Sequence, residues 1–140
     1  MKKINLFVYG SLREGFFNYD KYLAGKVVEK KDAILENMRL YHMPYKGYPA
    51  ITPGNDKVLG EIMVINEEEY DETVKDMDEM EGFISENNPE NEYHKIVLEV
   101  KNLQTNEKEK CFVYFYNKDK DKVFDSESVY IPNGDWKEYM

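Results

Sequence analysis

One stretch of this chain carries a sustained helical period, and it limits what the rest can build. Tyr70, Val74, Met77 and Met80 recur at spacings of three and four, which puts their apolar side chains on one face. Asn66 stands where a side-chain oxygen can cap a first turn, and Glu69 occupies the capping-box position three residues on. Glu67, Glu68 and Glu69 also suit the positive end of the helix dipole. Gly82 follows where a left-handed residue commonly ends a helix, so the pattern predicts a helix over residues 67–81.

Around that helix the chain reads as short extended pieces punctuated by turn residues. Residues 4–9 form a buried strand with one polar interruption at Asn5, and residues 16–23 suit a short helix closed by Gly25. Residues 27–43 look extended up to Pro44 and Gly47. Residues 48–51 make a further short piece stopped by Pro53-Gly54-Asn55-Asp56, and residues 58–65 return as a strand. Residues 85–92, from Ser85 to Glu92, are polar and acidic with Pro89 among them, and read as an exposed loop. In residues 93–101, Ile96, Leu98 and Val100 share one face with Lys95 and Glu99 on the other; after a turn at Gln104-Thr105-Asn106, residues 111–116 make a more aromatic strand. Many short strands and one good helix point to an α+β domain, with closure into a small barrel as the way to remove exposed sheet edges. At 140 residues the chain reads as a single domain over 1–140.

Composition narrows the function. The formal net charge is −9, from 28 acids against 19 Lys plus Arg, which repels nucleic-acid backbones and anionic membranes. The basic run from Lys26 to Lys31 is interrupted by Glu29 and followed by Asp32, so nucleic-acid and membrane partners are not expected. No apolar run is long enough to span a bilayer, and the apolar stretch after Met1-Lys2-Lys3 is too short for a signal peptide. With the single Cys111 forming no internal disulfide, the expected location is the cytoplasm.

Metal and nucleophile chemistry finds little support. His42 and His94 lack ligand partners at metal spacing, Cys111 opens an apolar strand as a buried thiol would, and Ser11 has no Gly-x-Ser-x-Gly context. Gly10 and Gly15 make no dinucleotide fingerprint. Two features stand out instead. The first strand runs straight into Tyr9-Gly10-Ser11-Leu12-Arg13, where a glycine that takes positive φ or allows close approach lets the N–H groups of Gly10, Ser11 and Leu12 converge on an anion. Arg13 adds a charge there or faces solvent, and the same residues also suit a plain strand-to-helix turn. The second feature is Glu81, a carboxylate at the unfavourable end of the helix dipole and at the border of its buried face. Half-buried and unpartnered, it would have the raised pKa that a general base near neutrality needs.

Taken together, these pieces resemble the gamma-glutamylcyclotransferase, or AIG2-like, family. The resemblance rests on Val8-Tyr9-Gly10-Ser11-Leu12-Arg13, Tyr48-Pro49-Ala50, Val58-Leu59-Gly60-Glu61, Met77-Asp78-Glu79-Met80-Glu81-Gly82 and Gly134-Asp135-Trp136, in matching order over nearly the whole chain. It implies a small closed mixed β-barrel with short flanking helices and a cavity at one end. It further implies that Tyr9, Gly10, Ser11 and Leu12 hold a γ-glutamyl group, that Tyr9 and Tyr48 wall the pocket, and that Glu81 is the acid/base. The implied reaction cleaves a small γ-glutamylamine or γ-glutamyl amino acid by internal cyclisation to 5-oxoproline, with no metal or organic cofactor. Leu12 after Ser11 resembles the γ-glutamylamine branch. Lys95 stands where the family often has an arginine. The rival readings are a non-catalytic small-ligand or regulatory module on the same fold, and an interaction domain using the 12 tyrosines.

Overall fold

A long hairpin forms the frame. Strands β2 (Val27–Met43) and β3 (Tyr48–Ile65) pair antiparallel from Met43↔Tyr48 beside the turn to Val27↔Ile65 at the far end. The structure is a computed structural model that describes residues 4–10, 12, 13, 15, 16 and 18–139; Ser11 lies outside the described residues. Where the sequence predicts two pieces broken at Pro53–Asp56, β3 runs through. Between the pairs Met38↔Pro53 and Glu36↔Lys57, residues 54–56 lie opposite the single Asn37, whose φ is +64°. Turn-forming residues are absorbed as a bulge, because an interrupted ladder asks no N–H of proline.

The hairpin is closed into a ring by three more strands. β1 (Asn5–Val8) pairs antiparallel with β3 on one side and parallel with β5 (Lys108–Tyr116) on the other. β5 pairs antiparallel with β4 (Tyr93–Asn102), and β4 returns to β2 at Ala33 and Ile34. The result is a closed mixed barrel in the order β3-β1-β5-β4-β2, with the short β6 (Val129–Ile131) laid along the outer half of β2. This is the α+β barrel with short flanking helices that the sequence predicts.

Alternating side chains give the barrel two apolar layers. Phe7, Leu35, Leu40, Ile51, Ile62 and Val113 fill the interior. Leu6, Val8, Met63 and Tyr114 point outward and pack under Val74 and Met77 of helix α1 (Tyr70–Met80). Each such fully buried side chain contributes about 1.5–3 kcal/mol. The predicted helix over 67–81 begins as a 3-10 turn, Glu67–Glu69, and the Asn66 side chain accepts from the Glu68 N–H at 3.0 Å. The reciprocal half of the capping box is not needed, since the Asn66 N–H already donates to the Lys26 carbonyl at 2.7 Å. Gly82 ends the helix at φ +69°. The short helix expected over 16–23 is a single five-residue turn, Tyr19–Leu23.

The remaining sequence oddities are structural. Cys111 is fully buried, and burial pushes its thiol up to about 12. His42 accepts from the Trp136 indole N–H at 3.1 Å. Among the described residues no cluster of His, Cys, Asp or Glu could hold a metal ion, and no helix is long and apolar enough to cross a membrane. Gly134 (φ +71°) leaves no room for a Cβ, which would sit 1.9 Å from the Lys57 carbonyl oxygen. Its own carbonyl accepts from the Leu59 N–H at 2.8 Å, so the Gly134-Asp135-Trp136 segment is clamped onto β3.

Candidate active site

The C-terminal end of α1, the end of β1 and the start of β3 and β4 meet around a cavity of about 90 Å³. Its size suits a small head group. Four of its walls are tyrosines, and each phenol is committed elsewhere. Tyr9 donates to the Tyr114 carbonyl at 2.6 Å and Tyr93 to the Pro49 carbonyl at 2.6 Å. Tyr114 donates to Asp78 at 2.5 Å, and Tyr48 to Glu92 at 3.1 Å. Burial first, then the neighbouring Glu81 charge, holds the Tyr9 hydroxyl far above its ordinary range, so it stays a donor.

Glu81 lines the same cavity, immediately after the last turn of α1. Its backbone is fully used: its N–H donates to Met77 O at 2.8 Å and its carbonyl accepts from the Tyr93 N–H at 3.2 Å. Although the residue as a whole is only half-buried, its carboxyl is enclosed by protein, and no side-chain donor among the described residues reaches it. Loss of hydration, followed by repulsion from Glu92 and Asp78, pushes this carboxyl from 4.5 up to about 8. A group so placed exchanges its proton near neutrality.

The loop after β1 faces Glu81 across the cavity. Tyr9, Gly10 and Leu12 line it, and the Arg13 N–H closes a turn onto the Gly10 carbonyl at 2.9 Å. The N–H groups of Gly10 and Leu12 have no hydrogen-bond partner among the described residues. Gly10 is required for close approach rather than for positive φ: a Cβ there would stand 2.4 Å from the Pro49 ring. Arg13 neither faces solvent nor joins the pocket. Its buried guanidinium meets Asp135 at 3.0 Å and lies 3.6 Å from Glu61, tying the loop to the C-terminal segment.

Of the residues expected at the site, the structure brings together Tyr9, Gly10, Leu12, Tyr48 and Glu81. Asn18, Glu92, Tyr93 and Tyr114 also line it without having been singled out as site residues. Glu92 belongs to the segment that reads as an exposed loop, and that description holds only for its outer part. Asn91 is fully buried, taking the Ile84 N–H at 2.6 Å and giving its amide to the Ser85 carbonyl at 2.8 Å. Asn117 grips the Pro89 and Asn91 carbonyls at 3.1 and 2.8 Å, so the loop is stitched down rather than free to swing. Lys95 stays outside the cavity, where it pairs with Asp78 at 2.9 Å and so holds the carboxylate that orients Tyr114.

Residues 6–138 match the family described as gamma-glutamyl cyclotransferase, AIG2-like, and the chain belongs to that family. A relative in Niallia circulans, gamma-L-glutamyl-butirosin B gamma-glutamyl cyclotransferase, is 28% identical over 135 residues, covering 96% of this chain and 76% of the relative. Among solved structures, an uncharacterised protein of Pyrococcus horikoshii superposes with a TM-score of 0.61 at 23% identity, over 98% of this chain and 92% of that one. An AIG2-like protein of Mus musculus gives 0.59 at 22% identity, over 80% and 76%. These two likenesses concern the fold.

Proposed function

We propose that the protein is a γ-glutamyl cyclotransferase that cleaves a small γ-glutamylamine or γ-glutamyl amino acid. One observation carries this reading: Glu81, whose carboxyl meets no side-chain donor among the described residues, lines the same small cavity as Gly10 and Leu12, whose N–H groups have no hydrogen-bond partner among those residues. Family membership and the cyclotransferase relative support the same reaction class.

In this scheme the γ-glutamyl group enters with its α-nitrogen toward Glu81. The ionised Glu81 takes a proton from that nitrogen, whose lone pair then attacks the γ-carbonyl carbon. The developing oxyanion, or the substrate α-carboxylate, is met by the N–H groups of the 10–12 loop, to which Ser11 belongs. As the intermediate collapses, the bond to the leaving nitrogen breaks and Glu81 returns the proton to it. The products are 5-oxoproline and a free amine or amino acid. Nucleophile and electrophile share one molecule, so holding the right rotamer supplies much of the rate advantage. Nothing in these steps calls for a cofactor.

Four of the 12 tyrosines, Tyr9, Tyr48, Tyr93 and Tyr114, are spent on the cavity wall. A binding module could use the Glu81 carboxyl to hold a ligand ammonium, so turnover is what separates the two readings. The decisive assay is 5-oxoproline release from a panel of γ-glutamylamines and γ-glutamyl amino acids, with Glu81→Gln alongside. Release that vanishes in the variant is the expected result. Release from no member by folded protein would overturn the reading.

A further inference from the structure

Glu81 does not face the cavity alone. The backbone segment carrying Glu92 is hydrogen-bonded to the segment carrying Glu81, with the Glu92 N–H on the Gly82 carbonyl at 3.0 Å and the Tyr93 N–H on the Glu81 carbonyl at 3.2 Å. Gly82 makes this closeness possible, because a Cβ there would lie 2.9 Å from the Glu92 Cβ. Two acidic residues on neighbouring, hydrogen-bonded backbone segments therefore line one cavity. Their surroundings differ sharply. Glu92 receives the Tyr48 hydroxyl at 3.1 Å on one oxygen and the Lys46 ammonium at 3.1 Å on the other. Glu81 receives no side-chain donor among the described residues.

We propose that Glu92 is a positioning residue that acts through Glu81: clamped by Tyr48 and Lys46 on the wall of the same cavity, it adds to the effect of burial and makes Glu81 hold its proton more firmly. The inference rests on Glu81 being the acid/base. Like charge beside a carboxyl that has no side-chain donor of its own makes that carboxyl harder to ionise, and among the described residues Glu81 is the one so placed. The other groups facing Glu81 do not change this. Asp78, from α1 itself, adds like charge but is shared between Lys95 and Tyr114. Tyr9 of the β1 loop, Tyr48 of β3, Tyr93 of β4 and Tyr114 of β5 are neutral and aim their hydroxyls elsewhere. The repulsion from Glu92, larger than that from Asp78, agrees with this assignment. A carboxylate made to grip its proton is a stronger base toward the substrate's α-nitrogen and a ready donor to the leaving nitrogen.

The test is the pH profile of kcat/KM for 5-oxoproline release by Glu92→Gln and Lys46→Gln. Removing the Glu92 charge should move the acidic limb to lower pH by about half a unit or more. Removing the Lys46 cation should move it the opposite way. A merely structural role would lower activity without opposed shifts. Chemical denaturation across pH 5–9 gives a second readout that needs no turnover. Stability falls with pH as long as Glu81 resists ionising, and in Glu92→Gln this fall should end at lower pH. If the wild type releases no 5-oxoproline, the functional reading fails while the denaturation arm still decides the coupling. If Glu92→Gln does not fold, Lys46→Gln decides by the sign of its shift. Limbs and stability profiles that coincide with the wild type would overturn the proposal.

Discussion

Glu61, buried on β3, and Glu81, half-buried at the end of α1, are treated in opposite ways. Glu61 is 2% exposed on β3, with the Arg13 guanidinium at 3.6 Å and the Lys30 ammonium at 3.9 Å. Glu81 has no cation within reach among the described residues. The first carboxylate is a fastener: through Arg13 it joins the loop after β1 to Asp135 and the clamped C-terminal segment. The second is costly to the fold, and in the proposed reaction that cost is what makes it a base.

Breaking each carboxylate separately should separate chemistry from stability. Glu81→Gln is expected to lower kcat by about 100- to 10,000-fold, the range for removal of a general acid/base, with the fold intact by circular dichroism. Turnover within tenfold of wild type would place the proton transfer elsewhere. Arg13→Met should do the reverse, costing about 3 kcal/mol in urea denaturation because Glu61 is left buried with a more distant partner. A denaturation midpoint equal to wild type would mean that Arg13 is not what supports Glu61.

The comparison also has a pH axis. Glu81 goes from about 4.5 unfolded to about 8 folded, so between those values the folded protein holds a proton that the unfolded chain has released. Stability must then decline as pH rises from about 5 to about 8, by up to roughly 4 kcal/mol at about 1.4 per unit. Glu81→Gln should remove this decline and be more stable than wild type at pH 9, and a slope unchanged by the substitution would contradict the enclosure of the carboxyl. The smallest effect is expected from Asp135→Asn. That partner of Arg13 is 19% exposed in its side chain, and losing the charge should cost less than about 1 kcal/mol in the same denaturation assay.

Much of this arrangement is legible in the sequence wherever neighbours in space are neighbours in the chain. The helix and its glycine stop, the abrupt end of β1 and the oddly placed Glu81 are all local patterns. The missed residues are those whose meaning depends on pairing across the chain. Tyr114 reaches the cavity through the parallel β1–β5 seam, which sets Leu6 beside Phe112. Glu92 looks like one more acid in an acidic loop until its backbone is seen bonded to Gly82. The turn signal at Pro53–Asp56 misleads for the same reason, since only the facing Asn37 makes it a bulge. Arg13 has a half-buried partner 122 residues away, which no local pattern announces.

The β1–β5 seam has a kinetic consequence. It is the one parallel pairing of the ring, joining Asn5 to Cys111, and both the Tyr9–Leu12 turn and Tyr114 depend on it. The β2–β3 hairpin and α1 can form from near neighbours, but this seam pays for a loop of about a hundred residues before any contact rewards it. The helix that carries Glu81 is built from near neighbours, so the long closure bears on the cavity walls supplied by β1 and β5 and not on α1. During synthesis β3 can cover one edge of β1 early, while the other edge, a row of unpaired backbone groups beside apolar side chains, stays open until β5 reaches it.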